Sequence, residues 1–203
     1  MLQDKKDFVF LDVRTPGARL DEVYLPVHGA HQGDNAAVAL AAVEAFFDRP
    51  LAETVVGEAL ADLKIPGRFE IMGREPLLVL DGAHNPDGMT ALTTTLHDDF
   101  ADVPSTVVVL GMLAGRDPDA MVEALELGPF DVVLCTNPPS PRALPAVEVA
   151  EAVVGTGIEV EVVPDVVEAL GRARAIATSE DRIIVTGSLY VVGAARAALT
   201  PPP

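Results

Sequence analysis

Polar and apolar positions along the chain follow two different rhythms, and the change comes near Lys64-Ile65-Pro66-Gly67. Before it, Asp7–Leu11 and Leu20–Val27 read as two strands joined by a turn at Thr15-Pro16-Gly17. An Ala-rich helix over Asp34–Phe47 and a second over Leu51–Leu63 follow. Two strands and two helices bury little by themselves, so residues 1–64 predict the tail of a larger domain. From Arg68 on, short apolar runs recur at Phe69–Met72, Leu77–Leu80, Thr106–Leu110, Asp131–Cys135, Ile158–Val163 and Arg182–Val185. Helical stretches lie between most of them, at Gly88–Phe100, Asp119–Leu125, Ala146–Val154, Val166–Thr178 and Ser188–Leu199. Such alternation predicts an α/β fold over residues 65–203, a doubly wound, mostly parallel sheet. Cap signals agree: Asp117-Pro118 opens one helix, Leu144-Pro145 another, and Pro164-Asp165 with Glu168 has the form of a capping box. Pro201-Pro202-Pro203 predicts a frayed end.

Composition narrows the function more than the fold. Hydrophobic residues make up 49% of the 203, enough for a core. No apolar run reaches the roughly 20 residues that span a bilayer, and no signal-peptide core follows the opening residues, so a cytoplasmic protein is expected. The single cysteine, Cys135, excludes a disulfide framework and a thiolate metal cluster, and it ends an apolar run, as a buried strand thiol does. Against 14 basic side chains stand 31 acidic ones, a net charge of −17. That field repels nucleic acid and anionic membranes, so neither is an expected partner. It also disfavours polyanionic ligands unless arginines or a metal ion gather locally. His28 and His31 have no third ligand beside them, so no zinc site is expected. There is no G-x-S-x-G elbow, and neither phosphate-binding fingerprint, G-x-G-x-x-G or G-x-x-x-x-G-K-[ST], occurs.

The densest chemistry is Leu80-Asp81-Gly82-Ala83-His84-Asn85-Pro86-Asp87-Gly88. It joins a buried strand to a helix, with Asn85 suited to the N-cap and Pro86 to the first helical position. Helix N-termini offer unpaired N–H groups, and open α/β sheets bind ligands beyond their strands' carboxyl ends. These residues therefore predict an anion or nucleotide site with Asp81 beside it.

Five segments stand in a familiar order: His31-Gln32-Gly33-Asp34-Asn35, Pro66-Gly67-Arg68-Phe69-Glu70, Asp81 to Pro86, Gly111 to Asp117, and Thr186 to Gly193. With them the chain, from about Phe8 to Arg196, resembles the carboxy-terminal part of folylpolyglutamate synthase/dihydrofolate synthase, in the Mur ligase superfamily. The resemblance implies a Rossmann-like carboxy-terminal ligase domain, preceded by a remnant of the central ATP-binding α/β domain. It implies an ATP-dependent ligase that adds L-glutamate to dihydropteroate or tetrahydrofolate, with Mg²⁺ as cofactor.

The resemblance also gives individual residues a second reading beside the plain one. Asn35 is a helix N-cap or contacts adenine; Arg68 is a strand-edge charge or binds the nucleotide phosphates. Asp81 is a turn residue or contacts the ATP ribose, the latter being favoured. His84 caps and packs or donates to phosphate. Arg116, in Gly111-Met112-Leu113-Ala114-Gly115-Arg116-Asp117, stands where relatives commonly have lysine; by analogy it holds the carboxylate of the incoming glutamate. Ser188 caps a helix or touches the same glutamate. Arg142 matches a family arginine without a physical argument for its role.

A phosphate-binding loop, Mg²⁺ ligands, a folate pocket and a carbamylated lysine, all implied for the complete enzyme, have no counterpart here; the lysines are Lys5, Lys6 and Lys64. The expected partner is thus the missing amino-terminal ATPase domain, and the chain alone is not expected to be catalytic. A truncated chain should also expose apolar surface around Phe8–Leu11 and the Ala-rich helix. The alternatives are a stand-alone nucleotide- or anion-binding module of the same fold, and a Mur-type ligase for another acceptor or amino acid.

Overall fold

Strands β1 (Val9–Arg14) and β2 (Arg19–Leu25) pair antiparallel across the turn expected from Thr15 to Gly17. The Thr15 hydroxyl accepts the Ala18 N–H at 2.9 Å and closes that turn. The structure, a computed structural model, describes residues 9–101, 103–128 and 131–200. Asp7 and Phe8, expected in the first strand, and the closing prolines lie outside the described residues. Two compact units make up the chain, Met1–Ile65 and Pro66–Pro203.

In the first unit the pleat turns Val13, Leu20 and Val23 inward, against Leu40 of α1 (Ala30–Phe47) and Val56 of α2 (Glu53–Ala61). Helix α1 begins at Ala30 rather than Asp34, because Gly29, at φ 88°, can turn the chain into it earlier. Asn35 therefore lies inside the helix and does not cap it. Around α1 the usual polarity is blurred. Its inner face carries Glu44, 7% exposed, whose carboxylate accepts the Leu51 N–H at 3.2 Å. The Thr15 hydroxyl, followed by the N–H groups of Leu51 and Gly17, holds that carboxyl below its ordinary range against the effect of burial. Its outer side carries Val38, Phe46 and Phe47, the second of these 82% exposed, and Phe10 on β1 is exposed as well. A helix apolar all round is normally covered all round.

The second unit is the doubly wound sheet predicted from the alternation. β3 (Glu70–Arg74) is an antiparallel edge on β4 (Leu77–Leu80). β5 (Thr106–Leu110), β6 (Val132–Cys135), β7 (Glu159–Val162) and β8 (Arg182–Thr186) continue it in parallel, in the order β3-β4-β8-β5-β6-β7. Period-two alternation divides the buried strand residues between two cores. Val79, Val108, Leu110, Val133 and Ile184 face α3 (Pro86–Phe100), α4 (Pro118–Glu123) and α5 (Ala146–Val154). Leu78, Leu80, Val107, Val109, Leu134 and Val185 face α6 (Val166–Ile176) and α7 (Leu189–Leu199). Asp117 and Asp165 cap α4 and α6 as expected. Pro145 opens α5 without a side-chain cap, and Asn137 Oδ1 instead takes the Ala146 N–H at 2.8 Å.

Cys135 ends β6 fully buried, and burial pushes its thiol up to about 12. The folded protein should accordingly resist a thiol-specific disulfide reagent at pH 8, reacting only at the rate of global unfolding. A fast native-state reaction would show that β6 opens locally. Arg182, at the amino ends of the strands, is used up structurally: its guanidinium donates to Thr106 Oγ1 at 2.9 and 3.1 Å and to the Phe100 carbonyl at 3.2 Å. Burial lowers its pKa, and the Asp131 charge works the other way. No helix among the described residues is long and apolar enough to cross a membrane.

Candidate functional site

Strand order brings the loops after β4, β8 and β5 side by side at the carboxyl edge of the sheet. Backbone hydrogen bonds lace them together: Asp81 N–H to the Val185 carbonyl at 3.0 Å, Gly187 N–H to Ala83 at 3.1 Å, and Gly111 N–H to Thr186 at 3.3 Å. Gly187 sits at φ 97°, and a Cβ there would fall 2.5 Å from the Gly111 carbonyl oxygen. The loop after β6 joins the group through a Leu113–Ala143 bridge and the Ala114 N–H, which donates to the Arg142 carbonyl at 2.8 Å. Asp81, His84, Arg116, Arg142 and Ser188 thus all belong to one rim.

Asp81 is 8% exposed and heavily engaged. Oδ1 accepts the Ala83 N–H and Oδ2 the Phe69 N–H, each at 2.8 Å. In the folded chain its carboxylate ties the turn before β3 to the end of β4. That turn carries Arg68, whose Nη1 lies so close over Gly82 that a Cβ there would stand 2.5 Å from it. Arg68 is half-buried, and its guanidinium has no hydrogen bond or ion pair with the described residues. His84 donates from Nδ1 to the Gly82 carbonyl, 2.8 Å away, since a carbonyl can only accept. Nε2 is then the nitrogen left to meet a ligand.

The anion site predicted at the start of α3 takes a different form. Asn85 is the N-cap, and its Oδ1 takes the Gly88 N–H at 2.7 Å; Pro86 has no N–H to offer. Met89 N–H returns to the Asn85 carbonyl, so the donors left over at the helix start are the N–H groups of Asp87 and of the cap residue Asn85. Positive charge comes instead from side chains. Arg68, Arg116 and Arg142 stand on this rim without an ionic partner among the described residues, in a chain of net charge −17. Other arginines are committed, as with Arg172 to Glu161 and Arg196 to Glu70; what sets the rim apart is that three uncommitted ones stand on it together. Three unpaired guanidiniums make the rim suited to anions.

Ser188, 1% exposed, caps α7 by accepting the Val191 N–H at 3.2 Å. Asn35 belongs to the first unit, where it is exposed and donates to Gln32 Oε1 at 3.2 Å. Its side-chain oxygen stays available. No three His, Cys, Asp or Glu side chains gather to hold a metal ion among the described residues. A cavity of about 370 Å³, lined by Glu123, Glu126, Thr156 and Ile158, lies at the amino ends of β6 and β7, the opposite edge of the sheet. Sequence reasoning missed the ion pair between Glu70 and Arg196, whose partners stand too far apart in the chain for any pattern to link them.

Comparison with known proteins follows the same lines. Residues 67–189 match the family model for the Mur ligase glutamate ligase domain. The dihydrofolate synthase/folylpolyglutamate synthase of Mycobacterium tuberculosis is 37% identical over 92% of this chain and 42% of its own length. The structure of M. tuberculosis folylpolyglutamate synthase complexed with ADP superposes with a TM-score of 0.85 at 35% identity, covering 96% of this chain and 45% of that one. The bifunctional synthase of Yersinia pestis, complexed with AMPPNP and manganese, gives 0.71 at 31% identity over 86% of this chain and 40% of that one. The chain spans less than half the length of the relatives it matches.

Proposed function

Because the chain belongs to the Mur ligase family through its glutamate ligase domain, we propose that it is the carboxy-terminal part of an ATP-dependent folate–glutamate ligase. Such a ligase phosphorylates the carboxylate of dihydropteroate or of a tetrahydrofolate. The amine of L-glutamate then attacks the acyl phosphate, the amide bond forms, and phosphate departs. In this reading the chain supplies binding groups rather than the bond-making site. Arg68 meets the nucleotide phosphates with a planar, permanently charged fork. His84 adds its Nε2, Asn35 meets adenine, and Asp81 sets Arg68 in place and lies where the ribose comes. Arg116 holds the carboxylate of glutamate; Ser188 shapes the neighbouring turn. Mg²⁺ supplies charge neutralisation on the phosphates when bound. In this reading its ligands belong to the amino-terminal ATPase part, the partner the reading requires. The cytoplasm, where folate, ATP and glutamate occur together, is the compartment that suits it.

The observation that carries the reading is the Arg68 guanidinium laid across Gly82 with no counter-ion among the described residues. The alternative, a nucleotide-binding module without ligase activity, shares the rim but needs no partner. Calorimetric titration of ATP into the chain, alone and mixed with a separately expressed amino-terminal part, separates the two. Binding and glutamate ligation are expected in the mixture, with affinity falling roughly tenfold to a hundredfold in Arg68→Ala, as for the loss of a charged hydrogen bond. Equal binding by the lone chain, indifferent to Arg68, would replace the ligase by the module.

A further inference from the structure

We infer that Glu70 is a positioning residue for Arg68 beside Asp81, and that Arg196 keeps Glu70 from capturing the guanidinium it positions. The inference rests on the assignment of Arg68 to the nucleotide phosphates above. Arg68 stands between two residues in the left-handed region, Gly67 at φ 71° and Phe69 at φ 45°. Glycine takes that conformation freely, whereas phenylalanine takes it only when its surroundings impose it. The surroundings are visible. Both amides flanking Arg68 end on carboxylates: Gly67 N–H on Glu70 Oε2 at 2.9 Å, and Phe69 N–H on Asp81 Oδ2 at 2.8 Å. The Gly67 carbonyl accepts the Gly82 N–H at 2.8 Å, and the Phe69 ring is buried, stacked on Phe100 with centroids 5.5 Å apart. Helix α7 closes the turn from outside. Leu189, Val192 and Arg196 share one of its faces. Leu189 presses on Gly82, Val192 on Gly67, and Arg196 Nε reaches both Glu70 oxygens, at 2.9 and 3.1 Å.

The charges make this more than a brace. Glu70 is two residues from Arg68, with its carboxylate against the same turn, yet its ionic partner is Arg196, from the far end of the chain. Among the described residues Arg68 is left without one, free for an anion from outside. Were Arg196 absent, the Glu70 carboxylate, bonded to Gly67 N–H and two residues from Arg68, would have lost its ionic partner beside that guanidinium. Arg196 is thus a counter-ion supplied so that the binding arginine need not be one.

The experiment compares ADP with adenosine, which lacks phosphate, by calorimetry on the chain mixed with its amino-terminal part. Arg196→Met should weaken ADP roughly tenfold while leaving adenosine unchanged, although Arg68 is intact. Adding Glu70→Gln, which keeps an acceptor for Gly67 N–H but removes the charge, should restore ADP affinity to within about twofold. Arg196→Lys, which keeps the counter-charge, should bind ADP like the wild type and stands in should the methionine variant fold poorly. An Arg196→Met variant that binds ADP normally, a double variant that stays weak, or a Lys variant that binds ADP poorly overturns the inference. Arg68→Ala is the separate control: if it leaves ADP affinity unchanged, the assignment of Arg68 itself is wrong, and the inference falls with it.

Discussion

Gly187→Ala is expected to lower the free energy of unfolding by about 3 kcal/mol or more. Two costs add. A side chain at φ 97° is strained by on the order of 1–3 kcal/mol, and overpacking into a filled site by a similar amount. The obstacle is a backbone oxygen, Gly111 O, 2.5 Å from the new Cβ. Gly111 cannot easily retreat, because its N–H is bonded to the Thr186 carbonyl and its own α-carbon faces Thr136 O. Urea unfolding gives the value directly, as a fall in midpoint at unchanged slope. Gly193→Ala is the control from the same region: it is a helix-interior glycine with nothing within 4 Å of a new Cβ, and should stabilise by up to about 1 kcal/mol. A loss at residue 187 no larger than the ordinary scatter of surface changes would mean that the two loops move apart freely.

The second large effect belongs to Asp81→Asn. Aspartate offers an acceptor oxygen to each of two buried N–H groups, Phe69 and Ala83. Asparagine has one oxygen, and whichever way the amide turns, its NH₂ faces a donor. One buried amide loses its partner and meets a second N–H, at a cost of about 2–3 kcal/mol. ADP affinity should fall with it when the amide turned toward Phe69 is the NH₂, because the Phe69 N–H then released is the one next to Arg68. Denaturation and calorimetry on the same variant distinguish two roles. A fall in both identifies the carboxylate as the tie that holds the binding turn. Lower affinity at unchanged stability would instead make Asp81 a direct ligand, as the ribose reading of the sequence expects.

Legibility in the sequence followed the range of the interactions. Strands β4, β5, β6 and β8 were readable because parallel strands buried on both faces leave unbroken apolar runs. Asn85-Pro86 and Asp117-Pro118 announced their helices because a cap is a local matter of a few residues. The start of α1 at Ala30 is hidden from the sequence, since Gly29 reads equally well as a loop residue and the helix has no side-chain cap. At the site, the residue types around Arg68 and Asp81 were legible, and their geometry was not. The helix end offers an anion fewer donors than its position suggests, because the Asn85 side chain takes the Gly88 N–H and Pro86 has none. The Arg196 pairing depends on α7 folding back across the sheet, which no short window of sequence encodes.

Helix α1 has a consequence for handling the protein. With Glu44 turned inward and Val38, Phe46 and Phe47 turned out, its outer side meets water with hydrocarbon. Preparations of the chain by itself should therefore change character with dilution, sedimenting faster when concentrated and drifting toward monomer when mild detergent is present. The state in which the chain is purified then becomes part of what any later binding curve reports.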